Sequence, residues 1–196
     1  MSTSGIARHR TRATRMDADD AITQQRKTDT QTVAWNQAHR WQQDNKYIRS
    51  GYRHATPNQS GILASLTFLH NETCNVYTHL AGAVLLPVFA YFQVQLLSEY
   101  RPHDVGGTDY LMFGLFFGTA EFCLIVSTLY HLNMSHSHLG EQFWLRKDLL
   151  GIIIVTAGTH ISGINYVFAC EAYWKRLYWT MVGCPNDSFE TGVDWS

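Results

Sequence analysis

THLAGAVLLPVFAYFQVQLL, residues 78–97, holds no Asp, Glu, Lys or Arg in 20 positions. A helix rising about 1.5 Å per residue crosses the roughly 30 Å of a bilayer's hydrocarbon in about that many residues. Two further runs follow. YLMFGLFFGTAEFCLIVSTLY (110–130) carries Glu121 as its one charge, and LLGIIIVTAGTHISGINYVFAC (149–170) carries none. One such run could be a buried core helix. Three at spanning length within a hundred residues make the fold class all-α, an integral membrane helical bundle. Pro87 falls inside the first run, where neighbouring helices can accommodate the kink it favours.

Outward from these runs the chain changes character. Of its 196 residues, the first 56 hold ten Lys/Arg against five Asp, while the whole chain has a net charge of -1. That near-neutral balance gives no whole-chain basis for nucleic-acid binding. Residues 1–31 are polar and almost free of large apolar side chains, so they read as a disordered tail. The tail lacks the apolar core of a signal peptide. Its Arg-rich start would suit a mitochondrial presequence, but Asp17, Asp19 and Asp20 favour a solvated basic segment. Residues 32–77 interleave Trp35, Trp41, Tyr47 and Tyr52 with Arg and Asn, which suits a juxtamembrane segment in the headgroup layer. Gly61–His70 is apolar but too short to span, and reads as an interfacial stretch or a continuation of the first crossing.

The transmembrane region then covers 78–182, with helices over 78–97, 110–130 and 149–170 and the start of a fourth at 177–182. The first connection, Ser98–Asp109, is acidic, and the second, His131–Lys147, carries Arg146 and Lys147 against Glu141. With the basic excess ahead of the first crossing, the positive-inside rule places the N-terminus and the second connection in the cytoplasm. Residues 183–196 form an atypical polar tail in which the fourth helix stops. Cysteines at 74, 123, 170 and 184 contain no CxxC pair and suggest no disulfide framework. Asn58, Asn71, Asn133 and Asn186 each begin a glycosylation sequon.

Polar residues gather at the helix mouths. His70–His79 (HNETCNVYTH) opens the first crossing, and Ser127–His131 (STLYH) closes the second, followed by His136, Ser137 and His138. Ser127 and His131 are four apart and share a helical face. Asp148 begins the third crossing at the same depth if the intervening connection is a hairpin. Ionisable groups in a membrane are costly and normally face a bundle interior, so these three suggest a polar site inside the cytoplasmic leaflet. The bland readings stand beside it: His131 as a helix-end cap, His136 and His138 as solvated loop residues, Asp148 as a charge favoured by the macrodipole.

HNETCNVYTHLAG (70–82), EFCLIVSTLYHLNMSHS (121–137) and KDLLGI (147–152), with the lead-in DNKYIRSGYR (44–53), resemble the progestin and adipoQ receptor family, which includes adiponectin receptors, fungal Izh-type proteins and haemolysin III-related proteins. The resemblance covers roughly residues 35–182. It implies a seven-helix membrane protein with a cytoplasmic N-terminus, of which three helices are present here. It also implies zinc near the cytoplasmic leaflet, held by one His from the second helix and two from an HxxxH in the seventh. By position His131 matches the first metal ligand, Asp148 the acid that holds the metal-bound water, and Ser127 the nearby hydroxyl. Zinc lowers the pKa of a bound water toward about 7, which suits hydrolysis of a ceramide-type amide. The family's roles include lipid and sterol homeostasis and zinc balance, so the partners implied are membrane lipids and a lipid or protein ligand.

The sequence departs from this pattern after Asp148. No HxxxH follows it, His160 is the one later His, and Asp148-Leu-Leu-Gly stands where Asp-Tyr-x-Gly is more common. The expectation is a C-terminally truncated member that lacks two of three ligands and has no hydrolase activity of its own. The alternative to the hydrolase class is a non-enzymatic membrane protein whose polar cluster is structural.

Overall fold

A computed structural model describes residues 31–100 and 106–182. The tail read over 1–31 (save its last residue), part of the first connection, and the 183–196 tail with Cys184 and Asn186 lie outside the described residues. The fold is all-α. Three long helices, α2 (Thr73–Tyr100), α3 (Gly107–Asn133) and α4 (His138–Val167), are preceded by α1 (Gln59–Ala64) and followed by α5 (Ala172–Val182). Two short strands, β1 (Thr32–Val33) and β2 (Tyr52–Arg53), pair antiparallel with Thr32 opposite Arg53. The three long helices are each apolar and long enough to cross a membrane.

α2 and α3 outrun at both ends the charge-poor stretches that announced them, while α4 outruns its own only at the start and ends at Val167, three residues short of Cys170. Such a stretch marks what can sit in hydrocarbon, whereas the helix continues wherever its backbone is capped and its residues are good helix formers. α4 is the clearest case. It begins at His138 rather than Leu149, because the Ser137 hydroxyl accepts the Gly140 N–H at 3.2 Å and the Ser137 carbonyl accepts the Glu141 N–H at 2.8 Å. Most of the segment read as a connection, His131–Lys147, is therefore helical. The fourth helix likewise starts at Ala172, five residues before its apolar run. Gly61–His70 is no continuation of the first crossing: it holds the end of α1 and a 3₁₀ turn (Ser65–Thr67), and Asn58 caps α1 by accepting the Ser60 N–H at 3.1 Å.

The chain divides into two compact units: the described residues up to Asn75 with His131–Phe143, and Val76–Tyr130 with the described residues from Trp144. In the second unit α3 and α4 run antiparallel, since contacts advancing along one recede along the other. Asp109 Oδ1 accepts the Tyr166 hydroxyl at 3.0 Å, and the Met112 carbonyl accepts the Ser162 hydroxyl at 2.9 Å. Thr119 lies against Gly158, and Cys123 and Val126 lie against Gly151. The two glycines are seven apart, two turns on one face, and let the backbones approach closely, as small residues do between helices in lipid. Gly151, Gly158, Ser127, Ser162 and Asn165 are buried, while Leu85 is 63% and Ile153 65% exposed. Small and polar residues inside with large apolar ones outside is the arrangement expected when the solvent is hydrocarbon.

In the same unit a cavity of about 210 Å³ lies beside Pro87, between α2 and α3. Glu121, on its wall, has one buried carboxylate oxygen with no hydrogen-bond partner among the described residues.

A Cβ added to Gly151 would meet the Val126 Cγ2 at 2.7 Å and the Cys123 Cα at 3.2 Å, whereas one added to Gly163 would meet nothing within 4 Å. Gly151→Ala is expected to destabilise the fold by about 1–3 kcal/mol through overpacking. Gly163→Ala should leave stability within about 0.5 kcal/mol of the parent. Unfolding titrations in mixed micelles measure both.

Candidate functional site

The HNET segment makes its own start to α2. The His70 N–H donates to the Thr73 hydroxyl at 2.8 Å, and the Thr73 N–H returns to the His70 carbonyl at 3.0 Å. The His70 Nδ1 accepts the Glu72 N–H at 3.1 Å, so first-turn donors that no helical carbonyl can reach find partners within four residues. This turn leaves the Glu72 carboxylate buried, at 6% exposure, in the first unit.

Two side chains donate to it and a third lies against it. Asn71 Nδ2 reaches Oε1 at 3.2 Å, Asn75 Nδ2 reaches Oε2 at 2.8 Å, and His131 Nδ1 lies 2.8 Å from the same Oε2. Burial alone would push the Glu72 carboxyl up. The hydrogen bonds from His131 and Asn75 and the charges of His131 and Arg53 outweigh it and hold the group below the ordinary carboxylate range.

Arg53, on β2 and 4% exposed, completes the cluster. Its guanidinium donates to the Ser65 hydroxyl at 3.1 Å, to the Leu132 carbonyl at 2.9 Å and to the His131 carbonyl at 2.6 Å. Those carbonyls belong to the last turn of α3, where no intrahelical donor remains, so a cation from outside the helix satisfies them. Burial lowers the Arg53 pKa to about 10 against the opposing Glu72 charge, and the group stays charged at neutral pH. Arg53 is itself held: its carbonyl accepts Gln42 Nε2 at 3.0 Å, and Gly51, at a φ of 87° that suits glycine, turns the chain into β2. Tyr52 and Ile62, 2% and 1% exposed, form the apolar part of this unit. A cavity of about 10 Å³ touches Arg53, Glu72 and Ser135, room for one water and not for an organic substrate.

Of the residues the sequence singled out, His131 is in this cluster, and its Nδ1 faces Glu72. Ser127 lies one turn earlier on α3, buried at 5% exposure in the second unit. Asp148 lies half-buried on α4 of that unit, within electrostatic reach of Cys123. His136 Nδ1 lies 3.0 Å from the Ser137 hydroxyl that caps α4. His160 is exposed, its Nδ1 2.7 Å from the Thr156 carbonyl.

The comparisons with known proteins fall on the same segment. The family described as haemolysin-III related matches residues 67–184, more than half of the chain and all of α2–α5. The chain belongs to this family. Progestin and adipoQ receptor-like protein 1 of Caenorhabditis elegans is 33% identical over 143 residues, which cover 72% of this chain and 32% of that protein. Progestin and adipoQ receptor family member 3 of Homo sapiens is 32% identical over 136 residues, 69% of this chain and 43% of that protein. The ADIPOR-like receptor IZH2 of Saccharomyces cerevisiae is 32% identical over 136 residues, 68% of this chain and 41% of that protein. The matched segments thus span between about a third and two fifths of these relatives. As a haemolysin-III-related protein with three spanning-length apolar helices, the chain is a multi-pass membrane protein.

The zinc that the resemblance implies does not fit the described residues. Among them no three His, Cys, Asp or Glu side chains group closely enough to hold a metal, and one imidazole is not a coordination shell. Sequence reasoning missed Glu72 and Arg53. Glu72 stood within the polar cluster 70–79, but its partner is 59 residues away, and Arg53 looked like one cation among ten.

His70 sets a pH dependence. Burial and the Arg53 charge, against an opposing Glu72, push its imidazole down from 6.5 to about 4. As pH falls, the unfolded chain takes up this proton first, so stability is intact above 6.5 and declines as pH drops from 6.5 to about 4. The added proton would also occupy the Nδ1 that accepts the Glu72 N–H. His70→Asn keeps an acceptor without the titration, and should flatten the loss of unfolding free energy over that window.

Proposed function

We propose that this chain is a receptor-like membrane protein whose working group is the His131 imidazole at the end of α3, with Ser127 and Asp148 in support. The observation that carries it is the Glu72–His131 contact of 2.8 Å, a buried carboxylate aimed at one imidazole inside the family-matched segment. A buried carboxylate is costly to place out of water and is a weak device for stability alone, which favours a site over a strut. The similar proteins carry the names of progestin and adipoQ receptors and of an ADIPOR-like receptor, and the receptor character is taken over from them.

The basic excess before the first crossing supports a cytoplasmic N-terminus, with the His131 end of α3 on that side. Two side-chain placements support that orientation. Asn71 donates the very amide nitrogen that a glycan would occupy to Glu72, and Asn133 is buried. Mass spectrometry of the chain expressed in a eukaryotic host should find Asn58, Asn71 and Asn133 unmodified; a glycan on Asn71 would reverse the orientation. The apolar outer faces of α2 and α4 suit membrane lipids as partners, and the ligand class is a lipid or a protein.

For the seven-helix architecture that the resemblance implies, the reading extends to zinc-dependent hydrolysis of a ceramide-type amide, with lipid, sterol and zinc homeostasis as the context. For this chain alone it is narrower, because one imidazole should not compete with cellular zinc buffers. The chain purified in detergent is expected to hold zinc well below one equivalent by elemental analysis and to show no ceramide hydrolysis. Stoichiometric zinc abolished by His131→Ala, or turnover lost in Asp148→Ala, would overturn this. A second reading, a structural network in a non-enzymatic membrane protein, draws on the Arg53 bonds to the His131 and Leu132 carbonyls, which tie down a helix end whatever the imidazole does.

A further inference from the structure

The His131 ring is fixed from two directions. Its backbone carbonyl accepts Arg53 Nη2 at 2.6 Å, and its Nδ1 lies 2.8 Å from Glu72 Oε2. Arg53 also holds the next carbonyl, that of Leu132, so the last turn of α3 is clamped beneath the ring. Glu72 cannot drift either, since Asn71 holds Oε1 and Asn75 holds Oε2 from one turn further along. This explains the NETxN spacing in physical terms: a buried carboxylate flanked by two amides that satisfy it and aim it.

An ionised carboxylate only accepts hydrogen bonds, so the nitrogen facing it must carry the proton. In a neutral imidazole the other nitrogen then has the lone pair. A carboxylate or carbonyl behind one ring nitrogen sets the tautomer and raises the basicity of the other. We propose that Glu72 is a positioning residue for His131: it fixes the imidazole as the Nδ1–H tautomer and so presents Nε2 unprotonated, as a base or electron-pair donor. This rests on His131 being the working group of the site, and it assigns Glu72, with Arg53 and the two asparagines behind it, to that group's orientation.

The test reads the ring itself. The full chain, ¹⁵N-labelled at histidine and held in detergent micelles at alkaline pH, gives long-range proton–nitrogen spectra in which each tautomer has its own pattern. His131 is assigned by the signal lost in His131→Gln. The wild type should show Nδ1–H as the dominant form. In Glu72→Gln and in Glu72→Asp, which withdraws the carboxylate by one methylene, the ratio of Nδ1–H to Nε2–H should fall by roughly tenfold or more, the scale of one hydrogen bond to a charged group.

A purely structural Glu72 would lower stability and leave the His131 tautomer ratio unchanged in the folded variants, with His138 and His160 signals as the check on folding. That result, or an Nε2–H wild type, overturns the proposal. If neither variant folds, the wild-type spectrum decides by itself. The measurement uses neither metal nor turnover. Zinc retention or hydrolysis would therefore overturn the functional reading and leave this one standing, while a wrong tautomer would do the reverse.

Discussion

A carboxylate placed out of water and answered by three side chains organises the first unit of this protein. Leaving Glu72 charged and buried would be prohibitive without Asn71, Asn75 and His131 on its oxygens and Arg53 nearby. Those partners come from three local devices. The asparagines come from the turn that opens α2, the histidine from the last turn of α3, and the arginine from the two-residue strand β2. The strand pair, the glycine turn at Gly51 and the Gln42 contact serve to put one guanidinium where it is needed. A small fold with little apolar core of its own is thus organised around one ionic cluster.

The second unit obeys a different economy of forces. Its helices cannot be driven together by excluding water from apolar side chains, because the surrounding medium is as apolar as they are. Close backbone approach at Gly151 and Gly158 supplies dispersion contacts instead, and hydroxyl-to-carbonyl bonds such as Ser162 to Met112 fix the register. Most of the large side chains that would form a core in a soluble protein face outward, Met112, Ile164 and Trp179 being buried. Glu121 is the exception within that scheme, an acid with one buried oxygen that no described group answers.

Membership of the haemolysin-III-related family fits both halves of this picture. The matched residues 67–184 begin just before the Glu72 turn and run through all three spanning helices, so the family segment holds Glu72, His131, Ser127 and Asp148 but not Arg53. Arg53 belongs to the lead-in, which supplies the cation that steadies the end of α3. A lead-in segment that caps a helix inside the family segment is more than a tether.

The sequence by itself determined the membrane class, because hydrocarbon tolerates few charges over about 20 residues and three such charge-poor runs can be counted without coordinates. It also marked His131, Ser127 and Asp148, since polar residues at helix ends stand out against apolar runs. It could not give the helix limits, which capping by Ser137 and by the His70–Thr73 turn decides outside the apolar stretches. Nor could it reveal the Glu72–His131 pair or the Arg53 clamp. Those contacts join residues 59 and 78–79 positions apart, and a sequence records spacing along one helix, whereas which helix end meets which loop is settled by tertiary folding.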